Sequence, residues 1–352
     1  MSQPVRFMVT PNQPGDMLAY DQERRKKRMM GLLSKGLPTL PNYLLDLNAL
    51  LSSPSVDLKK VGKVIRTDPS LTAQVLRLCN SALFGLRHRV ISIEQAAVLL
   101  GTERLRTLVL TCSLMQFAGK HVPMNSLLHF WQHSFLAALL SERIARQVDY
   151  PEKEQAYLGG LMHDIGQLPL WMLVMEEQGR QRELPPENWP DNLLLEHEYF
   201  GTDHGKVGRW MAVAWNFMPS FMDVFEHHHD PENAQHDPYL VGIVSAADQF
   251  LQAQESIQGE TPEAGESPDA TAAAANPLAV PMEGNGLNFL LQCFPSLSDD
   301  ERQGILGTLQ TEYIHVLPLV QLGLSVVAPD TNGGQNSAQE RKREEATRSD
   351  RG

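Results

Sequence analysis

The chain is expected to fold as an all-α protein, and three observations carry that expectation. Aromatic residues make up only 7 % of its 352 positions, while Leu, Ala and Met are abundant. Apolar residues recur at i, i+3, i+4 spacing in one window after another. Helix start and stop residues bracket those windows. A hydrophobic content of 42 % is enough for a substantial core.

The elements follow in order. Residues 1–34 form an N-terminal extension holding five consecutive basic residues, Arg24 to Arg28. The run reads as a solvated helix face or flexible arm, the alternative being a contact with nucleic acid or an acidic partner. Order begins near residue 35, where Pro38 and Pro41 precede apolar spacing from Tyr43 to Leu51. Asp68-Pro69 reads as an N-cap with proline at the first helical position, opening a helix over Ser70 to Leu83. Ser92-x-x-Gln95 is a capping box ahead of Ala96 to Leu100, with Gly101 as the stop. Thr102 starts the next helix, and residues 35–118 make up a helical half without catalytic groups.

A second half spans residues 119–252. A helix over Phe130 to Val148 puts His133 on a stripe with Leu136, Ala137 and Leu140. The next carries Ala156, Gly159 and Gly160 on the face of His163, and small residues there let a second backbone approach. Helices over Gly208 to Trp215, Phe217 to His229 and Tyr239 to Ala253 follow. The last sets Asp248 among Val241, Val244, Ser245 and Leu251, a costly place for a carboxylate without a partner or a metal. Residues 253–286 read as a disordered linker, 287–326 as further helix and 327–352 as a disordered tail.

The net charge of −12 argues against wholesale nucleic-acid binding. Cys79, Cys112 and Cys293 are odd in number and scattered, which reads as reduced, buried thiols. The N-terminus lacks signal-peptide order, and the longest apolar stretch, Leu168 to Met175, is too short to span a bilayer. The expectation is a cytoplasmic protein without membrane contact.

Chemistry concentrates in one region. Eight of the twelve histidines fall between 133 and 236, interleaved with Asp164 and Asp248. Imidazole and carboxylate are the usual ligands of Zn, Fe and Mn. The alternative is a hydrogen-bonded polar core, or, for His227, His228 and His229, a solvated helix end favoured by the helix dipole. His197 and His236 read as surface residues.

Several motifs resemble the HDOD domain. In the first half they are Leu37-Pro-Thr-Leu-Pro41, Asp68-Pro-Ser-Leu71, Cys79-Asn-Ser-Ala82 with Phe84-Gly85, and Leu99-Leu-Gly101. In the second they are Trp131-Gln-His-Ser134, Gly159-Gly-Leu-Met-His-Asp-Ile-Gly166, Gly201-Thr-Asp-His-Gly-Lys-Val-Gly208, His228-His-Asp-Pro231 and Ala247-Asp248. The resemblance implies a bacterial, all-helical signalling or regulatory module, related to the HD phosphohydrolases and acting through protein contacts. By the same resemblance, metal ligation falls on His133, His163, Asp164, His204, His228, His229 and Asp248, for one or two divalent ions (Fe, Mn or Zn). Signalling proteins are the implied partners, with a phosphate-bearing small molecule as a further ligand.

Two departures bear on catalysis. Where the HD-GYP phosphodiesterases carry a lysine after His-Asp-Ile-Gly, this chain has Gln167. Their Gly-Tyr-Pro loop is absent from the 18 residues between His229 and Asp248. Losing one electrostatic donor at a phosphoryl site costs about 3 kcal/mol of transition-state stabilisation. The expectation is therefore metal retention without efficient turnover and no catalytic residue. The alternative is a metal-dependent phosphohydrolase acting on a nucleotide or cyclic dinucleotide.

Overall fold

A computed structural model describes residues 22–31, 58–120, 122, 124–178, 193–215, 217–259, 285–295 and 297–327. The apolar spacing at Tyr43 to Leu51, the Leu37 to Pro41 motif and the tail beyond residue 327 lie outside the described residues.

The regular structure of the described residues is all helical, with no strand among them. In chain order the α-helices are α1 (22–31), α2 (Leu58–Ile65), α3 (Pro69–Cys79), α4 (Ile93–Leu100) and α5 (Thr102–Ala118). Then come α6 (Met124–Gln147), α7 (Lys153–Met162), α8 (Gln167–Gln178), α9 (Leu193–Phe200) and α10 (His204–Ala214). The series closes with α11 (Pro219–His227), α12 (Pro238–Gly259), α13 (Asn285–Cys293) and α14 (Asp299–Val327). Single 3-10 turns lie at Ala82–Phe84 and Pro231–Asn233.

The start signals act as their chemistry dictates. Asp68 Oδ1 accepts the Leu71 N–H at 3.0 Å, with Pro69 at the first position of α3. Ser92 Oγ accepts the Gln95 N–H at 3.1 Å, and Gln95 Oε1 accepts the N–H of Ile91 at 3.0 Å. α3 stops at Cys79, short of the expected Leu83. Asn80 ends it because its amide bonds across the chain to Val90 as well as back to Leu76, drawing the backbone away from the helical path. α6 begins at Met124 rather than Phe130, adding a turn in which Leu127 is buried.

Helices α6 and α7 form the most extensive pair, and α12 lies across both. Their contact buries Phe135, Ala137, Leu140, Ala156, Val244 and Phe250. α14 contacts α6 in the second half and α3 with the Ala82–Phe84 turn in the first, so the C-terminal helix straps both halves together. Phe250 meets Tyr313 edge-on, and Arg143 pairs with Glu312 at 3.2 Å. At the other end of the chain, Arg25 lies over the Tyr199 ring, 3.9 Å from its centroid, and Gln22 Nε2 donates to the Glu198 carbonyl at 2.7 Å.

α12 runs to Gly259, well into the stretch whose composition reads as a linker. The reason is tertiary: Glu255 and Gln252 reach polar partners on the interior side. Cys79 and Cys112 are buried free thiols, whereas Cys293 is half-exposed. No helix among the described residues is long and apolar enough to cross a membrane.

Candidate metal centre

Seven side chains expected from sequence converge. His133 points inward from α6, and Asp248 from α12. His163 caps the C-terminus of α7, and Asp164 sits in the turn between α7 and α8. His204 opens α10, while His228 and His229 follow the end of α11. The adjacent pair His163-Asp164 thus lies at the end of α7 and in the following turn rather than within the helix.

Two glycines permit this packing. A Cβ on Gly160 would come within 2.5 Å of the Ala137 carbonyl oxygen, so α6 and α7 can approach with His133 and His163 between them. A Cβ on Gly166 would overlap the His204 carbonyl oxygen, so only glycine lets α10 bring His204 up to Asp164.

The ligand atoms fall into two groups, Asp164, His204, His228 and His229 in one and His133, His163 and Asp248 in the other, each within 4.8 Å of one another. Asp164 faces both. Its Oδ1 lies 3.2 Å from His204 Nε2 and 3.4 Å from His228 Nε2, and its Oδ2 lies 3.3 Å from His163 Nε2. Asp248 Oδ1 lies 3.1 Å from His133 Nε2 and 3.5 Å from His163 Nε2. His204 Nε2 is 3.2 Å from His228 Nε2 and 3.0 Å from His229 Nε2.

The other ring nitrogens settle what these contacts can be. His163 Nδ1 donates to the Gly160 carbonyl at 2.7 Å, and His228 Nδ1 faces the Val224 and Phe225 carbonyls at 3.1 Å. His204 Nδ1 meets Glu196 Oε2 at 2.9 Å, and the same oxygen accepts the His204 backbone N–H at 2.7 Å. His133 Nδ1 meets Glu255 Oε1 at 3.2 Å. With each Nδ1 committed as a donor, each neutral ring presents an Nε2 lone pair to the centre. Lone pairs of His204 and His228 then face each other and Asp164 Oδ1, which is buried without a hydrogen-bond partner. Such an array is repulsive unless a cation lies within it. Metal–donor bonds of about 2.1 Å put neighbouring donors roughly 3.0–3.4 Å apart, which is the spacing found here. The all-N/O donor set suits Zn, Fe or Mn, and the anchored Nδ1 atoms are the outer support that metal-bound imidazoles take. The residues fit a divalent ion.

Without a metal, protons fill the same role. Burial opposes charge on His163, but Asp164 and Asp248 outweigh it and hold its pKa up to about 10. His133 is held well above the ordinary imidazole range, burial being overcome by Asp248 and Glu255. His204 is likewise raised against its burial, by Glu196 and Asp164. Asp164 and Asp248 are driven well below the carboxylate range by the imidazoles around them, again against burial. His229 is pushed well down, by burial first and then by His228 and His204.

Residues outside the seven sort clearly. His227 pairs with Asp230 at 3.1 Å and takes no part in the centre. His197 and His236 are surface side chains paired with Asp203 and Asp223 at 2.9 and 3.0 Å. Glu196 and Glu255, which contact the His204 and His133 rings, were missed by sequence reading. An acid directly after the apolar Leu193-Leu194-Leu195 run, eight residues ahead of His204, was the available signal for Glu196. Glu255 offered none, since it lies in a stretch of linker-like composition. Gln167 is buried at the first position of α8, immediately beyond the Asp164 turn.

The HDOD domain profile matches residues 37–231, more than half of the chain. An HDOD domain protein of unknown function from Geobacter sulfurreducens superposes with a TM-score of 0.59 at 23 % identity, covering 86 % of this chain and 99 % of that one. A Marinobacter aquaeolei VT8 protein provisionally named a signal transduction protein gives a TM-score of 0.59 at 18 % identity, covering 90 % and 68 %. A Shewanella amazonensis SB2B protein provisionally named a phosphohydrolase gives 0.57 at 22 %, covering 85 % and 98 %. At these identities the likenesses carry the fold. An uncharacterized protein of Treponema pallidum (strain Nichols) is 23 % identical over 236 residues, 64 % of this chain and 44 % of that protein. This chain therefore spans less than half the length of that curated relative. On the profile match and the shared fold together, the chain belongs to the HDOD domain family.

Proposed function

We infer that the chain is a regulatory module which holds one or two divalent ions in an HD-type pocket and acts through protein contacts rather than turnover. The observation that carries this is Asp164, whose two oxygens face separate groups of imidazole nitrogens at 3.2–3.4 Å. His204, His228 and His229 with Asp164 would hold one ion, and His133, His163 and Asp248 a second. A divalent ion held by these residues would supply Lewis acidity and lower the pKa of water towards neutrality, so that hydroxide could act on a phosphorus centre. What argues against efficient turnover is what surrounds it. Gln167 occupies the position after Gly166, where a cation would meet a phosphate, and a glutamine side chain can neither carry charge nor transfer a proton there. Access is narrow too: five of the seven ligands are at most 3 % exposed, His133 reaches 7 % and the His229 side chain 16 %.

Elemental analysis of the purified chain beside an Asp164→Asn variant tests the reading. One or two equivalents of Fe, Mn or Zn, lost or reduced to one in the variant, are expected. Absence of metal after reconstitution would leave a hydrogen-bonded scaffold.

The second reading, a phosphohydrolase acting on a nucleotide or cyclic dinucleotide, is favoured by one specific feature. The donor set is complete for two ions, as a two-metal displacement needs. Steady hydrolysis of such a substrate by the metal-loaded chain, abolished in Asp164→Asn, would replace the first reading with this one.

A further inference from the structure

The Cys79-Asn-Ser-Ala82 segment takes no part in the metal centre, and its structural work lies elsewhere. Asn80 Oδ1 accepts the Val90 N–H at 2.7 Å, while Nδ2 donates to the Val90 and Leu76 carbonyls, each at 2.8 Å. This single amide clamps the segment around residues 86–91 alongside α3. Between them lies a cleft of about 760 Å³, within the size range of small-molecule sites.

The cleft has two characters. Leu76, Leu86, Val90 and Ile91 supply apolar wall, with Ile91 left 78 % exposed. Arg77, His88 and Arg89 supply the polar side. All three are exposed, and none makes an ion pair or hydrogen bond with the described residues. Arg66 and Arg104 of the same half are instead matched, Arg66 by Glu94 and Arg104 by Glu142 and Glu154. On a chain with a net charge of −12, acidic side chains were available to neutralise the cleft and are not found in its lining. The result is a positive concavity on an acidic protein, which draws anions from solution.

We propose that this cleft binds a phosphate-bearing ligand of nucleotide size, with the Arg77 and Arg89 guanidiniums on the phosphates and the Leu86–Ile91 wall against the base. A planar guanidinium matches phosphate oxygens two at a time. A concavity with cations on one side and aliphatic groups on the other matches a ligand that is polyanionic at one end and flat and apolar at the other. The site lies in the first half of the fold, on residues 73–91, and does not depend on metal being held by the second.

Calorimetric titration of the full chain with the four ribonucleoside triphosphates and with inorganic pyrophosphate, without added divalent ions, tests it. At least one nucleotide is expected to bind saturably and more tightly than pyrophosphate. Arg89→Ala should weaken that binding about tenfold, in line with the loss of charge-assisted hydrogen bonds, and Arg77→Ala with Arg89→Ala should abolish it. Both arginines are exposed, so an unchanged circular dichroism spectrum and melting curve are expected for these variants. Asp164→Asn should bind as the parent does. No saturable binding of any of the five probes would overturn the proposal. Binding lost in Asp164→Asn but kept in the arginine variants would overturn it in favour of the metal centre. Pyrophosphate binding as tightly as the nucleotides would remove the base from it. An arginine-dependent response to a Glu-rich peptide alone would make the cleft a protein-docking surface instead.

Discussion

One carboxylate oxygen of Glu196 accepts two hydrogen bonds from His204, from the ring Nδ1 at 2.9 Å and from the backbone N–H at 2.7 Å. The two residues lie on different helices, both fully buried. Because that oxygen fixes both the ring and the start of α10, it decides where the His204 lone pair points. Glu196→Gln keeps the shape and an acceptor but loses the charge. It should weaken metal affinity by about tenfold or more, within the range seen when outer partners of metal-bound histidines are removed. Competition with a chelator of known affinity measures this, and an affinity equal to the parent's would deny Glu196 a positioning role.

The protons on the metal-free centre predict a pH dependence. The His163 pKa is raised from 6.5 to about 10 in the folded chain. A raised pKa contributes stability fully present below 6.5 and lost as pH rises through about 10. Thermal melts in chelator should therefore fall across that window. Metal must displace the same protons, so its affinity should fall as the pH is lowered. Metal-loaded chain should show a flatter profile than the chelated chain, and identical profiles would sink the idea.

Gly160→Ala should be disruptive beyond its size. The added methyl meets the Ala137 carbonyl oxygen at 2.5 Å, backbone rather than a yielding side chain. Overpacking of this kind costs about 1–3 kcal/mol. Because α6 and α7 carry His133 and His163, metal content should drop along with the urea midpoint. A variant of full stability and full metal content would contradict the close approach.

Arg104 joins the halves. From α5 it pairs with Glu142 on α6 and with Glu154 on α7 at 3.2 Å, and lies 5.1 Å from the Tyr157 ring centroid. Glu142 is 7 % exposed and keeps Arg146 as a second partner. Arg104→Met should therefore cost roughly 2 kcal/mol, less than the 3–5 kcal/mol of a buried charge left wholly alone. Denaturant unfolding reads the loss. A neutral outcome would mean that apolar packing alone holds the two halves.

Much of this architecture was legible residue by residue. Asp68-Pro69 and Ser92-x-x-Gln95 announce helix starts because a cap is a local bond, made within four residues. The apolar stripes around His133 and Asp248 announce inward faces because helical periodicity is local too. Gly159 and Gly160 announced that something would approach. The helix ends were less legible: Asn80 stops α3 early because its amide prefers Val90, ten residues away, to the next helical turn.

The sequence by itself determined the helical class and the order of the caps, since both depend on residue type and short-range spacing, and its resemblance to the HDOD domain pointed to seven candidate ligands. Only the tertiary structure decided that Asp164 turns one oxygen to each group of imidazoles, that Glu196 and Glu255 hold two of those rings, and that α14 straps both halves. Glu255 lies 122 residues from His133. No local pattern encodes such a pairing, because it exists only once packing has brought α6 and α12 together and burial has made an unpartnered charge too costly to leave.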